Sequence, residues 1–186
     1  TLFNNTLKRV VVTGMGVVSP IGINIKDFKK NLSNGTNGIS SITLFDTSDY
    51  KIKIAGECKI NLENYFNTKE LRKIDRFTAF SILSSNQAIE DSQLNSDFIP
   101  DRVGVIMGSG IGGLSTFEAQ HKKLLEHPKK VSPFFIPSMI PDIAPGHISI
   151  KYNFQGPNYS VASACATASH AIGDAFRLIQ YGDADI

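Results

Sequence analysis

Hydrophobic positions along the chain fall into runs of three kinds. Two stretches, RVVVTG (9–14) and RVGVIMGSG (102–110), are short, β-branched and continuously apolar. Such runs lack the alternation of a half-exposed strand and predict strands buried on both faces of a sheet. Between them, NIKDFKKNLSNG places Ile25, Phe28 and Leu32 on one stripe and stops at Gly35, and KELRKIDRFTAFSILSSNQAIEDS carries Leu71, Ile74, Phe77 and Leu83 at helical spacing. Each predicts an amphipathic helix, the second a single long one. YKIKIAGECKI alternates, which predicts a more exposed strand or hairpin. After residue 110 a glycine loop opens into the helix pattern LSTFEAQHKKLLEH, and prolines 133, 137, 141 and 145 then predict irregular chain around one short helix. GPNYSVASAC reads as a strand and ATASHAIGDAFRLIQYG as a helix closing at Gly182. Strands alternating with helices, with no repeat or linker between them, predict one α/β domain around a largely parallel sheet.

Composition narrows the classes. A chain of 186 residues with 41% hydrophobic and 19% charged residues is an ordinary globular protein, which excludes disorder, collagen and coiled coil. A net charge of +2 is too mild to argue for nucleic-acid binding, so any basic partner site is local. Cys58 and Cys165 stand far apart with no C-x-x-C spacing. Neither a metal site nor a disulfide framework is expected, and a reducing compartment is. No apolar run approaches the roughly 20 residues of a membrane helix, and TLFNNTLKRVVV lacks the charged start and long apolar stretch of a signal peptide. The expectation is a cytoplasmic protein, or a mature one already processed, without membrane contact. The chain has no initiating Met and ends on YGDADI, an acidic turn giving way to an apolar residue. It reads as a piece of a longer chain whose next strand begins near Ile186.

Two places invite chemistry. GSGIGG (108–113) satisfies G-x-G-x-x-G between a strand and a helix. A dinucleotide site also needs an acidic residue about 20 positions on, at the end of a second strand. Glu126 has the offset but closes a helix, and TGMGVVSPIG fails sooner, at Ser19 and Pro20. No nucleotide is expected; the glycines let backbone pass close to something else. The second place is Cys165, where a strand turns into a helix. Counting about 100° per residue, Ala168, Ser169, Ile172, Phe176 and Ile179 share its face, whereas His170, Asp174 and Arg177 lie opposite. The thiol is therefore expected to point inward, with His170 paired to Asp174 rather than serving as its base. Helix N-terminal amides and the helix dipole favour a thiolate there and suit a developing oxyanion. Ala162, Ala164, Ala166 and Ala168 leave room for a substrate. On geometry alone a small buried filler remains the alternative, and none of His121, His127 and His147 has a spacing that marks it as a base.

KRVVVTGMGVVSPIG, GISSITLFDTSDY, GSGIGGL, SPFFIPSMI and GPNYSVASACATASHAIGDAFRLIQYGDAD together resemble the N-terminal half of the elongating β-ketoacyl-[acyl-carrier-protein] synthases, the type II condensing enzymes of fatty acid synthesis. The resemblance runs from about residue 8 to the end and divides the chain into an extension (1–7) and a synthase N-terminal domain (8–186). It implies a thiolase-like α/β fold with layered αβαβα architecture, a homodimer and no cofactor. Cys165 matches the cysteine that takes the acyl chain as a thioester, before a malonyl unit on acyl carrier protein decarboxylates and attacks, adding two carbons. Ile111 and Ala164 match acyl-pocket positions, and Phe135 and Ile136 match positions reaching the partner subunit's pocket. Lys69, Arg72 and Lys73 match a basic helix surface that meets the acidic carrier protein; their i, i+3, i+4 spacing puts them on one face, which read plainly is a solvated helix face. Two catalytic histidines, a buried lysine and a gating phenylalanine belong to the family's second half. The chain by itself is thus expected to show exposed apolar edges and not to complete a condensation. Two other readings stand beside this one: a thiolase-type enzyme acting on coenzyme A esters, and a non-catalytic partner-binding fragment. An organelle of bacterial descent fits as well as the cytoplasm.

Overall fold

Helix α1 (Ile25–Ser33) starts where Asn24 accepts the Asp27 amide through its side-chain oxygen at 2.8 Å, supplying a partner that a helix N-terminus otherwise lacks. It ends as expected, with Gly35 beyond the cap at φ +64°. The computed structural model describes residues 7–95 and 97–186, so all but Leu7 of the expected extension lies outside the described residues. The alternating segment supplies only β2 (Ile54–Ala55), which pairs antiparallel with β1 (Ser40–Ser41) from before it.

The expected long helix is two, α2 (Thr68–Leu71) and α3 (Arg76–Asp91). Asn67 and Glu70 close a capping box on the first. Asp75 accepts the Phe77 amide at 3.2 Å and caps the second. A second cap inside a periodic run ends one helix and starts another, because the aspartate satisfies the new amides only from a non-helical backbone. The apolar run at 9–14 is a further correction. It forms no strand, and Val12 is 80% exposed. The segment just beyond lies against α3 instead: the Met15 amide donates to the Asp91 carboxylate at 2.9 Å and the Val17 amide to Gln87 at 3.1 Å. A Cβ on Gly16 would stand 1.8 Å from the Ser84 carbonyl oxygen, so the approach requires glycine.

The core gathers on a parallel pair, β3 (Val105–Gly108) and β4 (Asn158–Val161), in register from Val105↔Asn158 to Gly108↔Val161. Alternation along β3 decides the layers. Val103, Val105 and Met107 face Ile82 of α3, Ile148 of α6 (Ile143–Tyr152) and Phe154. Gly108 faces Thr167 at the start of α7 (Thr167–Tyr181). On the far side of the strand, the Gly104 amide donates to Ile186 O at 2.8 Å and the Ile186 amide to Arg102 O at 3.2 Å, the bonding of a parallel rung. These two bonds hold Ile186 beside the start of β3, but no strand is formed there among the described residues. Asp185 beside it takes Arg102 and Lys8 at 3.0 and 2.8 Å, and these partners hold its carboxyl well below the usual carboxylate range.

The proline-rich segment holds two helices rather than one, α5 (Phe135–Met139) and α6. Pro137 and Pro145 each take the third helical position, where the missing N–H has no intrahelical acceptor to lose. The glycine loop opens, as expected, into α4 (Leu114–Glu126).

His147, half-buried on α6, has its imidazole pKa pushed down by burial. Below the ordinary histidine range the unfolded chain takes up a proton that the folded state resists. Its contribution is therefore present above about pH 6.5 and is lost as the pH falls through the lowered value. Denaturant unfolding of wild type and His147→Gln from pH 7.5 to 5.5 should show a shallower loss of stability in the variant.

Candidate active site

Because Gly108 and Val161 pair across the ladder, the loops that follow β3 and β4 leave at the same end of the sheet. After β4 the chain makes one 3₁₀ turn, Ala164–Ala166, and enters α7. Ala164 has φ +49°, a left-handed backbone that costs a residue with a Cβ about 1–2 kcal/mol. The turn is braced on both sides. The Ser163 amide donates to Thr167 Oγ1 at 2.8 Å, and the Thr167 hydroxyl donates to Ala164 O at 2.7 Å. Ser163 Oγ and His170 Nδ1 share a hydrogen bond.

Cys165 sits in this turn and is exposed, as are Ala162, Ala164, Ala166 and Ala168. The expected room around the sulfur exists, but the expected inward direction does not hold. The cysteine precedes the α-helix, and the buried side of α7 is that of Thr167 and Ala171, which meets the sheet. The cysteine's own face, with Ile172 (71% exposed) and Phe176, has no element over it among the described residues. His170 likewise bonds Ser163 and not Asp174. Asp174 stands near Tyr159, whose hydroxyl is raised above its ordinary pKa by burial first and by that carboxylate second.

The glycine loop packs between the elbow and α5. A Cβ on Gly108 would stand 2.6 Å from Thr167 Cγ2, and one on Gly112 (φ +82°) would stand 2.3 Å from Met139 O. The Gly112 amide donates to Ser109 Oγ at 2.9 Å and the Gly113 amide to Met139 O at 2.8 Å. These glycines do bring backbone close to something else: α7 on one side, α5 on the other. Ile111 projects from the loop and is 69% exposed.

On α5, the Phe135 ring lies 6.2 Å from Phe117 of α4, and Ile136 is exposed. Lys69, Arg72 and Lys73 are all exposed around the end of α2. The two places are stitched together. Ser138 Oγ donates to Lys73 O at 2.7 Å, and the Lys73 ammonium lies 5.2 Å from the Phe134 ring centre. Asp75, only 6% exposed, takes the Thr116 amide at 2.9 Å and the Thr116 hydroxyl at 2.6 Å. A cleft of about 290 Å³ opens here, lined by Arg72, Asp75, Thr116, Gln120, Phe135 and Ser138. Asp75 is the residue that sequence reading missed; an aspartate before Arg76-Phe77 is a cap signal, hidden by the longer periodicity. Among the described residues, no group of three His, Cys, Asp or Glu is placed to hold a metal ion, and no helix is long and apolar enough to cross a membrane.

Comparison with known proteins places this geometry. The family profile described as "Beta-ketoacyl synthase, N-terminal domain" matches residues 7–186. The 3-oxoacyl-[acyl-carrier-protein] synthase 2 of Staphylococcus aureus (strain N315) is 49% identical over 181 residues, 96% of this chain and 44% of that protein. The Vibrio cholerae protein of the same name is 45% identical over 181 residues, with the same 96% and 44% coverage. The chain thus spans less than half the length of these curated relatives. Among solved structures, the ishigamide ketosynthase/chain length factor superposes with a TM-score of 0.86 at 23% identity, over 96% of this chain and 46% of that one. A β-ketoacyl synthase from Burkholderia phymatum gives 0.80 at 24%, over 96% and 45%. A type II polyketide acyl-carrier protein in complex with its ketosynthase gives 0.73 at 28%, over 95% and 48%. The fold is the expected thiolase-like α/β fold, of which this chain covers about half.

Removing the Asp75 carboxylate strands the Thr116 and Phe77 donors in a buried site. Asp75→Ala should cost about 1–3 kcal/mol of unfolding free energy, measured by denaturant titration. An unchanged midpoint would show that the staple between α3 and α4 carries no energy.

Proposed function

Because this chain belongs to the β-ketoacyl synthase family, as its N-terminal domain, we propose that it supplies the acyl-accepting cysteine of a condensing acyltransferase of fatty acid synthesis. The observation that carries the reading is an exposed Cys165 on a left-handed turn between β4 and α7, beside a glycine loop at the same end of the sheet. The Cys165 sulfur attacks the carbonyl of an acyl thioester borne by acyl carrier protein. A new C–S bond forms, the donor's C–S bond breaks, and the carrier thiol leaves with the proton. In the second half-reaction a malonyl unit on the carrier loses CO₂, and its carbon attacks the Cys165 thioester, releasing the sulfur and lengthening the chain by two carbons.

The Thr167 amide is spent on the Ala164 carbonyl, but α7 carries no side-chain cap, and the positive end of its dipole favours an oxyanion forming at the acyl carbonyl. Ile111 and Ala164 flank the path of the acyl tail. Phe135 and Ile136, on the α5 surface, suit a pocket completed by a second subunit, and the uncovered Ile172 and Phe176 face is of the kind that an interface buries. Lys69, Arg72 and Lys73 offer the acidic carrier a local basic surface on a chain with little net charge. The metal-free, cofactor-free chemistry, the homodimer and an aqueous address, in the cytoplasm or an organelle of bacterial descent, belong to this same reading.

Two measurements test it in the full-length protein. Cys165→Ala should abolish the mass gain after incubation with an acyl-loaded carrier protein, and loading retained in that variant would sink the assignment. Reversing Lys69, Arg72 and Lys73 together to Glu should slow loading from the carrier by about ten- to a hundredfold at low salt. Loading from acyl-coenzyme A should change little. An equal loss with both donors would mean that the basic turn does not recognise the carrier.

A further inference from the structure

Among the described residues, three that are not glycine have positive φ: Gln93, Asn153 and Ala164. Two of them follow helices, Asn153 as the cap of α6 and Gln93 just past the cap of α3, where a left-handed residue is an ordinary ending. Ala164 stands before a helix, and its methyl group offers no hydrogen bond to offset the conformation. Its surroundings must therefore hold it there. Resting on the reading of Cys165 as the acyl acceptor, we infer that Ser163, Thr167 and His170 form a clamp that keeps the elbow in its left-handed turn, and that His170 is a positioning residue for the thiol.

The hydrogen bonds specify how the clamp acts. Thr167 Oγ1 accepts from the Ser163 amide and donates to the Ala164 carbonyl, so one hydroxyl ties the peptide unit before Ser163 to the one after Ala164. Turning Ala164 to an ordinary backbone angle would break that span. Ser163 is fixed from its other end, where its hydroxyl meets His170 Nδ1 from the first turn of α7. Thr167 is 5% exposed, and altering it disturbs the packing against Gly108. His170 is exposed, so removing its ring opens no cavity. What its removal releases is Ser163, and through Ser163 the strand side of the elbow. His170 thus acts on the sulfur through the backbone. Its Nδ1 is engaged by a hydroxyl and is not turned to the thiol.

The test is single-turnover acylation of Cys165 in the full-length protein by acyl-loaded carrier protein, followed by intact mass over a range of donor concentrations. His170→Ala should lower the maximal rate about tenfold with the half-saturating donor concentration unchanged. His170→Asn, which keeps a polar atom near the Nδ1 position, should recover most of the loss. In an Ala164→Gly background the same His170→Ala change should cost less than about twofold, because glycine takes a positive φ without help. A wild-type maximal rate in His170→Ala, no recovery in His170→Asn, or the full tenfold loss in the glycine background would each overturn the clamp. Should the wild-type protein take up no acyl group, the condensing reading fails. The clamp is then decided by amide hydrogen exchange of residues 163–166: faster in His170→Ala and restored in His170→Asn if it exists, equal in all three if it does not.

Discussion

Two parallel strands that end level set the terms for everything around the cysteine. The register that puts Gly108 opposite Val161 makes the chain leave the sheet twice at the same edge, once into the glycine loop and once into the elbow. Both departures are tight, and each is made possible by a small residue. Gly108 has no Cβ, so Thr167 lies directly against β3. That contact seats α7 on the sheet and brings the Thr167 hydroxyl to the Ser163 amide and the Ala164 carbonyl. A shift of one residue in the ladder would turn Gly108 toward the α6 side and put a side chain against Thr167.

The surface left open is as informative as the core. The buried cluster of Ile82, Val103, Val105, Ile148 and Phe154 fills one face of the sheet. On the α7 side burial stops at Thr167 and Ala171, and Ile172 and Phe176 are uncovered, as are Ile111, Leu114 and Phe117 across the way. Scattered apolar exposure is ordinary; an apolar side of a helix that shares its face with a candidate nucleophile is the kind that marks an interface or ligand groove. The relatives are more than twice as long as this chain, and the ketosynthase structures extend beyond it by a similar margin.

Much of this was legible in the sequence. The strands at 105–108 and 158–161, the helix stop at Gly182 and the place of Cys165 at a strand-to-helix turn follow from local pattern, and the quoted motifs carried the family. What escaped depends on contacts distant in sequence. RVVVTG has the composition of a buried strand, but a strand needs a neighbour, and none of the described residues pairs with it. The apolar face counted from Cys165 is not the buried one, because α7 meets the sheet through Thr167 and Ala171 and no element among the described residues covers Ile172 and Phe176. Assigning His170 to Asp174 at i, i+4 overlooked Ser163, which the elbow folds back over the helix start. The long periodic run hid Asp75, since spacing alone does not register a cap in the middle of a stripe.

Asp75 also explains how a basic surface and an apolar site can belong to one mechanical unit. The turn bearing Lys69, Arg72 and Lys73 ends at this buried carboxylate, which grips Thr116 at the start of α4. Lys73 is itself tied through its carbonyl to Ser138 on α5. The loop bearing Ile111 is bonded to the end of the same short helix through Gly113 and Met139. Each link is a hydrogen bond from a buried or part-buried group, and such bonds are costly to leave unmade. The basic turn, α5 and the glycine loop are therefore held to a common geometry. If a carrier docks on Lys69, Arg72 and Lys73, as proposed, that arrangement would fix where it sits relative to Cys165, and the length of its tether rather than the mobility of the surface would set how far the acyl group reaches.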